Sequence, residues 1–165
     1  LGIGAGTPVQ VRTITRVGSR TDWKDVMSTQ QGSCGLDTMD RLSCWGGTFE
    51  NLTGQPPSGD PVSMGTASWR NFSVDVFHGC GVQRDGTLWC AGRGIEGQLG
   101  LGDNQPHLAL TQVGTEADWS EVQVGRFHSC ARKNNGTLYC CGENVNGELG
   151  VGDFTRRNVF SLVVQ

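Results

Sequence analysis

The stretch CARKNNGTLYCCGENVNGELGVGD, residues 130–153, carries the features that decide the fold. Cys130 and Cys140 stand ten residues apart, on either side of Asn134-Asn135-Gly136. Short β-prone segments around a glycine-containing turn are typical of a β-hairpin. Directly opposed residues on antiparallel strands have Cα atoms about 4.5 to 5.5 Å apart, within reach of a disulfide. The spacing therefore predicts a hairpin closed by a Cys130–Cys140 bridge.

The same pattern occurs three times along the chain. Trp23, Trp69 and Trp119 each precede the first cysteine of a unit by 11 residues, and the units recur after 46 and then 50 residues. A fixed period of this size indicates a repeat architecture. The predicted units are residues 17–63, 64–112 and 113–165, with residues 1–16 as the tail of a preceding unit. The predicted disulfides are Cys34–Cys44, Cys80–Cys90 and Cys130–Cys140.

Composition restricts the fold and the function. The 165 residues include 26 glycines but only 7% aromatic residues, which favours an all-β fold with many turns. The net charge of −3 and the lack of any lysine or arginine block argue against nucleic-acid binding. No apolar run approaches the roughly 20 residues of a membrane-spanning segment. The start shows no charged and apolar signal sequence, so we expect either a removed signal or an internal piece of a longer chain.

The order of motifs, clearest in the second and third units, indicates a family. It runs from a tryptophan through His-x-Cys, Asp-Gly-Thr-Leu and Cys-Trp-Gly or its variant to Gly-Gln-Leu-Gly-x-Gly-Asp. This order resembles the repeats of the regulator of chromosome condensation family. The resemblance implies β-propeller blades of four antiparallel strands, about seven to a ring. This chain is then a partial propeller of about three blades.

The resemblance also raises two questions about the chain. The first unit departs from the pattern, with Gly32 in place of His78 and His128 and with TFENLTGQPPSGDP (residues 48–61) in place of the glycine-rich tail. Three blades cannot close a ring of about seven. An open stack of three would leave strand edges and apolar blade faces uncovered. The remaining blades must come from a longer chain or from other copies, and we favour the longer chain.

The cysteines and sequons predict a compartment. Three phased cysteine pairs indicate an oxidising environment. Three glycosylation sequons, at Asn51, Asn71 and Asn135, agree, and Asn135 lies on a predicted hairpin tip with room for a glycan. We therefore expect a secreted or cell-surface glycoprotein. The alternative is a cytosolic propeller with reduced core cysteines. The founding family member is a nuclear exchange factor for a small GTPase, and that function is not transferred here.

Cys141 is the unpaired seventh cysteine. It occupies the position of Trp45 and Ala91 in the other units, which favours a small buried residue within a blade. The alternative is a free thiol or an intermolecular bridge.

Catalytic and metal-binding motifs are weak. His78 and His128 each lie two residues before a cysteine, but a zinc site would need the thiolate that a disulfide removes. We interpret both histidines as hydrogen-bonded to backbone between blades. Because nucleophile and phosphate-loop motifs are missing as well, we expect no enzyme, metal or cofactor.

The glycine-rich segments 97–103 and 147–153 are interpreted as turns that define a blade. Leu99 and Leu149 are expected to pack inward, and Asp103 and Asp153 to cap local turns. Calcium binding at these aspartates lacks further carboxylates nearby.

Residues that are unique to one unit are the candidates for binding, since recurring residues such as the tryptophans serve packing in every unit. The candidates lie in loops, where sequence variation is also common without a function. They are Phe49, Arg93, Glu96, His107, Phe154, Arg156 and Arg157.

These observations favour a non-catalytic extracellular β-propeller that binds a protein or a glycan. One alternative is a structural subunit of a glycosylated fibre or surface assembly, joined through propeller edges and Cys141. Another is an enzyme inhibitor or a propeller resembling a GTPase regulator. Fold alone does not decide between them.

Overall fold

The computed structural model describes residues 13–164, so the expected tail at residues 1–16 lies almost wholly outside the described part. Three four-stranded antiparallel sheets follow one another, each with its strands in chain order, which confirms the predicted all-β propeller blades. Blade I contains β1 (Trp23–Ser28), β2 (Gly32–Asp37), β3 (Leu42–Gly46) and β4 (Ser58–Ser63). Blade II contains β5 (Trp69–Val74), β6 (His78–Gln83), β7 (Leu88–Gly92) and β8 (His107–Gln112). Blade III contains β9 (Trp119–Val124), β10 (His128–Lys133), β11 (Leu138–Gly142) and β12 (Arg157–Leu162).

A disulfide joins the two central strands of every blade. Its cysteines are register partners, with Cα atoms 4.0 to 4.1 Å apart, in the pairs expected from the sequence: Cys34–Cys44, Cys80–Cys90 and Cys130–Cys140. The hairpin turns of blades II and III place Gly86 and Gly136 at φ 88°, a conformation that glycine adopts readily. In blade I, Asp40 holds the corresponding position at φ 61°, since aspartate tolerates the left-handed region better than most residues.

A tryptophan fills each of the two interfaces between blades. Trp69 is 1% exposed and belongs to the same core cluster as Leu36 and Leu42 of blade I. Trp119 is 2% exposed and lies in a cluster with Leu88 of blade II. Large buried side chains of this kind cost about 3 to 5 kcal/mol when cut to alanine, so these contacts hold neighbouring blades together.

Backbone contacts tie each blade to the next at both ends of the strands. At the hairpin turns, the amide of Trp69 donates to the Asp40 carbonyl at 2.8 Å, and the amide of Trp119 donates to the Gly86 carbonyl at 3.1 Å. At the opposite end, the glycine-rich segment of blade II lies against β12 of blade III. A Cβ on Gly100 would overlap the Phe160 ring, which explains why this segment requires glycine.

A short helix replaces the glycine-rich segment in blade I. The helix α1 (Gly47–Thr53) was not expected, and it ends at Gly54, whose φ of 68° is left-handed. Leu52 on α1 is 1% exposed and packs in the core between blades I and II, much as Leu99 of blade II is buried. A buried leucine therefore fixes this connection to the core in both blades, although its backbone is helical in blade I and a series of turns in blade II. Within residues 13–164, no helix has both the length and the apolar character to cross a membrane.

The two outer faces of the three-blade stack are uncovered among the described residues. Val26 of blade I is 65% exposed, whereas its counterparts Phe72 and Val122 are buried at 4% and 0%. On the other side, Leu138 of blade III is 38% exposed, whereas its counterpart Leu88 is fully buried. The exposed positions are those that a neighbouring blade covers elsewhere in the molecule.

Candidate functional site

The strand connections lie at two opposite ends of the blades. One end, the loop face, carries the short loops 29–31, 75–77 and 125–127 and the long connections 47–57, 93–106 and 143–156. The other end, the hairpin face, carries the turns 38–41, 84–87 and 134–137. Variable connections are concentrated on the loop face, which makes it the first place to look for a binding site.

The short loops of blades II and III are held rigidly. In blade II, Asp75 donates its amide to the His78 carbonyl at 3.0 Å, and Arg93 donates its amide to the Phe77 carbonyl at 2.8 Å. Blade III repeats both bonds, with Phe127 in the position of Phe77. A ligand that contacts these loops would not need to order them first, which lowers the entropic cost of binding.

Two aromatic rings stack across the interface between blades II and III. The rings of Phe77 and Phe127 have centroids 5.6 Å apart and an interplanar angle of 10°. The guanidinium of Arg93 lies 5.2 Å from the Phe77 centroid, and that of Arg126 lies 5.1 Å from the Phe127 centroid. Cations at this distance are attracted by the ring quadrupole. We call these four residues the aromatic cluster.

The two arginines of the aromatic cluster differ in charge compensation. Arg93 forms an ion pair with Glu96 at 2.6 Å, so two of the predicted candidates bind each other. Glu96 is held in turn by the amide of Gln98, whose Nε2 donates to it at 3.0 Å. Arg126 is exposed and forms no ion pair within residues 13–164. It is thus the cation of the cluster that remains available to a ligand.

A cavity of about 570 Å³ opens beside the aromatic cluster. All three blades contribute to its wall, which includes Ser28, Gln30, Asp75, Phe77 and Arg126. The volume falls in the range of ligand pockets, and a side chain with part of its loop also fits in such a space.

His78 is buried at the interface of blades II and III, where its Nε2 lies 2.8 Å from the Ser129 hydroxyl. Ser129 donates its only proton to the Gln98 carbonyl at 2.8 Å, so Nε2 must carry the hydrogen and Nδ1 has no partner among the described residues. Burial, assisted by the nearby charge of His128, lowers the pKa of His78 to about 3. Because Nε2 already carries a hydrogen, His78 cannot take a proton from the Ser129 hydroxyl. The two side chains therefore do not form a nucleophile and general-base pair. We expected His78 to bond directly to backbone, but its partner is the Ser129 side chain, which in turn donates to the backbone carbonyl of Gln98.

Cys141 is fully buried between blades II and III. Its Sγ lies 3.5 Å from the Gln98 carbonyl, and burial raises the pKa of the thiol far above its usual value. Thiolates rather than thiols react, so this sulfur is protected in the folded state.

The three sequons lie in different surroundings. The Asn71 side chain is bonded at both amide atoms to the backbone of Val122 in the next blade, and Asn51 donates to the Val76 carbonyl. Asn135 is exposed on the hairpin face, and its Nδ2 has no partner within the described ranges. Glycosylation at any of the three stays a prediction, but only Asn135 presents the nitrogen that a glycan would use.

The other loop candidates are divided between packing and exposure. Arg157 binds Asp153 at 2.6 Å, and His107 binds Asp103 at 3.1 Å in the equivalent place, so both close a loop. The remaining candidates are Phe49, which is partly buried against the core, and Phe154 and Arg156, which are exposed.

Asp103 and Asp153 cap turns as expected, through bonds to the amides of Gln105 and Thr155. No group of three or more potential metal-binding side chains occurs in residues 13–164.

Sequence reasoning missed Phe77, Phe127 and Arg126. Both phenylalanines stand directly before the histidine of the His-x-Cys motif, so the recurrence was visible in the sequence. What the sequence did not show is that they stack on each other, because 50 residues separate them.

Comparisons with known proteins agree with the fold. Models of the regulator of chromosome condensation (RCC1) repeat match residues 85–132 and 119–148. Prp20p from Saccharomyces cerevisiae, described with its binding properties to Gsp1p and histones, superposes with a TM-score of 0.78 at 18% identity, over 90% of this chain and 40% of that one. Human WBSCR16 gives a TM-score of 0.74 at 15% identity, over 86% of this chain and 38% of that one. The chain thus spans about two-fifths of the structures it matches. A comparison with curated proteins finds no significant sequence match.

Proposed function

Since the chain is an RCC1-like repeat β-propeller, we propose that it is part of an extracellular propeller that binds a protein through its loop face, without catalysis. The observation that carries the proposal is the aromatic cluster, a rigid arrangement of two rings and two guanidinium groups beside an open cavity. Aromatic residues and arginine are enriched at the energetic centres of protein interfaces.

The extracellular part of the proposal rests on the disulfides. Three bridges occupy the same register position in three blades. By the loop-closure model, a disulfide that closes a loop of this size raises the free energy of unfolding by about 2 to 3 kcal/mol. A reducing cytosol would remove that stabilisation, so the arrangement fits an oxidising compartment.

A protein is favoured over a glycan as the partner. A carbohydrate site would use exposed aromatic faces, but Phe49 is partly buried and only Phe154, 72% exposed, stands free among the predicted aromatic candidates. Prp20p, which shares this fold, has binding properties to Gsp1p and histones. That similarity is one of fold at 18% identity, so it supports the class of partner and no particular one.

We propose that further blades of a longer chain cover the two outer faces. Val26 and Leu138 are exposed where their counterparts in the interior are buried, and the chain spans about two-fifths of the structures it matches. A rival arrangement is a head-to-tail assembly of copies through the same two faces, as in a structural surface layer. The burial of Cys141 removes the covalent link that such an assembly was expected to use.

We also propose a glycan at Asn135. Its counterpart Asp85 in blade II remains exposed although blade III packs beside it, so a following blade would leave Asn135 accessible as well. A glycan there lies on the hairpin face, away from the aromatic cluster.

The state of the cysteines in the natural protein tests the compartment. The protein is isolated from medium, cell surface and cytosol and then unfolded, with an alkylating reagent present during both steps so that buried thiols are labelled too, and the alkylated cysteines are mapped. We expect secreted or surface protein in which Cys141 alone is alkylated. Protein recovered from the cytosol with all seven cysteines alkylated would overturn the extracellular assignment.

A further inference from the structure

We propose that Arg126 and the stacked rings of Phe77 and Phe127 recognise a carboxylate that stands next to an apolar side chain on a loop of the protein partner. This inference rests on the proposed binding function and adds the chemistry of the partner to it. Three features of the loop face carry it: the charge of Arg126, the fixed rings and the mixed polarity of the cavity.

Arg126 supplies the charge. Its side chain is exposed, forms no hydrogen bond or ion pair within the described residues, and lies 5.7 and 5.1 Å from the Phe77 and Phe127 centroids. The guanidinium therefore keeps all five of its donors for a ligand while the rings orient it. A planar carboxylate matches two of these donors at once, which gives such pairs both strength and direction.

The two rings supply the apolar part. Phe77 and Phe127 are partly buried, stack at 10° and are fixed at the backbone through bonds from Arg93 and Glu143. These bonds fix the backbone that carries the rings, and the stacking orients the rings, so the partly exposed pair forms a small apolar surface. An aliphatic or aromatic side chain next to the bound carboxylate would bury this surface and shield the ion pair from water.

Charge balance argues for a single carboxylate rather than a polyanion. Arg93, the second cation of the cluster, is neutralised by Glu96. Asp75 lines the same cavity as Arg126 and adds a negative charge to it. A sulfated glycan carries many charges and needs several uncompensated cations, whereas one carboxylate matches the one that the cluster offers.

Blade I supplies the polar wall of the cavity. Ser28, Gln30 and Gln31 of blade I line the same cavity as Phe77 and Arg126. Hydroxyl and amide groups of this kind can hydrogen-bond the backbone of an extended loop. The site thus spans three blades and combines charged, apolar and polar contacts.

The test is a selection from a library of displayed random peptides on the purified, disulfide-bonded protein. We expect enriched peptides to share an aspartate or glutamate next to a large apolar residue. Arg126→Glu should weaken their binding about tenfold or more, as removing one member of a close charge pair does. Phe77→Leu, which keeps the bulk but loses the aromatic face, should weaken it less. Arg70→Glu is the matched control, because it makes the same charge change at an exposed arginine of β5 that lies outside the loop face and forms no ion pair within the described residues.

The outcomes separate this inference from the proposed function. Acidic and apolar peptides that lose binding with Arg126→Glu and keep it with Arg70→Glu support the inference. Enriched peptides that ignore Arg126→Glu overturn it while leaving a binding propeller in place. Failure to enrich any acidic and apolar motif also overturns it. Heparin that binds through Arg126 more strongly than any peptide would assign the site to sulfated glycans, which overturns the protein partner as well.

Discussion

The side chain of Asn71 in blade II forms two hydrogen bonds with the backbone of Val122 in blade III, as a residue of a neighbouring β-strand would. Its Nδ2 donates to the Val122 carbonyl at 2.9 Å, and its Oδ1 accepts from the Val122 amide at 3.1 Å. Val122 is fully buried, so no water can replace these two bonds. One side chain thereby satisfies both polar groups of a residue in the neighbouring blade.

Asn71→Ala is expected to lower the free energy of unfolding by about 2 kcal/mol or more. The reason is that both backbone groups of Val122 would lose their partner in a buried place, and each such loss costs about 1 to 3 kcal/mol. Chemical denaturation measures the change. Asn51→Ala is the control, since it removes one bond to a backbone carbonyl where Asn71→Ala removes two bonds to Val122, and it should cost less. Equal losses from the two variants would contradict the role given to Asn71.

A single N-glycan is expected at Asn135 when the protein passes through a eukaryotic secretory pathway. Asn135 uses only its Oδ1, which accepts from Thr137, and its Nδ2 stays free within the described residues. Peptide masses after enzymatic removal of glycans identify the occupied site. Asn135→Gln should abolish the glycan, and Asn71→Gln should leave it unchanged. A glycan found on Asn71 would be incompatible with the Asn71–Val122 contact in the native fold.

Stability is expected to fall as the pH drops below about 6.5, because His78 must remain neutral in the folded state. Its pKa is about 3 when folded and 6.5 when free, so the unfolded chain binds the proton first. One such group costs about 1.4 kcal/mol per pH unit, or about 2 kcal/mol by about pH 5. Denaturation at several pH values measures the slope. His78→Gln should flatten it, and a slope that persists in this variant would assign it to other groups.

Gly86 and Gly136 offer a test for a blade that follows blade III. Both adopt φ 88°, so alanine strains the backbone equally at the two positions, by about 1 kcal/mol. A Cβ on Gly86 would also overlap the Ala117 carbonyl of the next blade, whereas a Cβ on Gly136 meets nothing. In the 165-residue chain, Gly86→Ala should therefore cost about 1 to 3 kcal/mol more than Gly136→Ala.

The same pair of variants in a longer natural protein completes this test. If another blade follows, Gly136→Ala should become as costly as Gly86→Ala in denaturation measurements. A Gly136→Ala variant that stays inexpensive in the longer protein would show that nothing packs against this hairpin.

The parts of the fold that the sequence predicted correctly are local ones. Each hairpin depends on two cysteines ten positions apart, and in blades II and III a turn glycine, Gly86 or Gly136, lies near the middle of that span. The glycine-rich segments also indicated that Leu99 and Leu149 pack inward, and the two side chains are 2% and 1% exposed. The in-phase tryptophans also indicated packing, and Trp69 and Trp119 do lie between blades.

The parts that could not be predicted depend on contacts between units. The sequence shows Phe77 and Phe127 as recurring residues, but only the rotation from one blade to the next brings their rings together. The helix α1 has seven residues, too few for a helical period to stand out. Sequons are defined by three residues, whereas the engagement of Asn71 depends on a strand 51 positions away.

The buried thiol of Cys141 gives this protein a built-in reporter of blade separation. Its sulfur is fully buried beside the Gln98 carbonyl of blade II, so a small alkylating reagent reaches it when blades II and III separate or when the whole protein unfolds. Under native conditions, the labelling rate would then report how often that interface opens, as the hydrogen-exchange rate reports the opening around a backbone amide. A ligand that grips Phe77 and Phe127 holds the two blades together and would slow the reaction. Partner binding could thus be followed through a cysteine that the partner never touches.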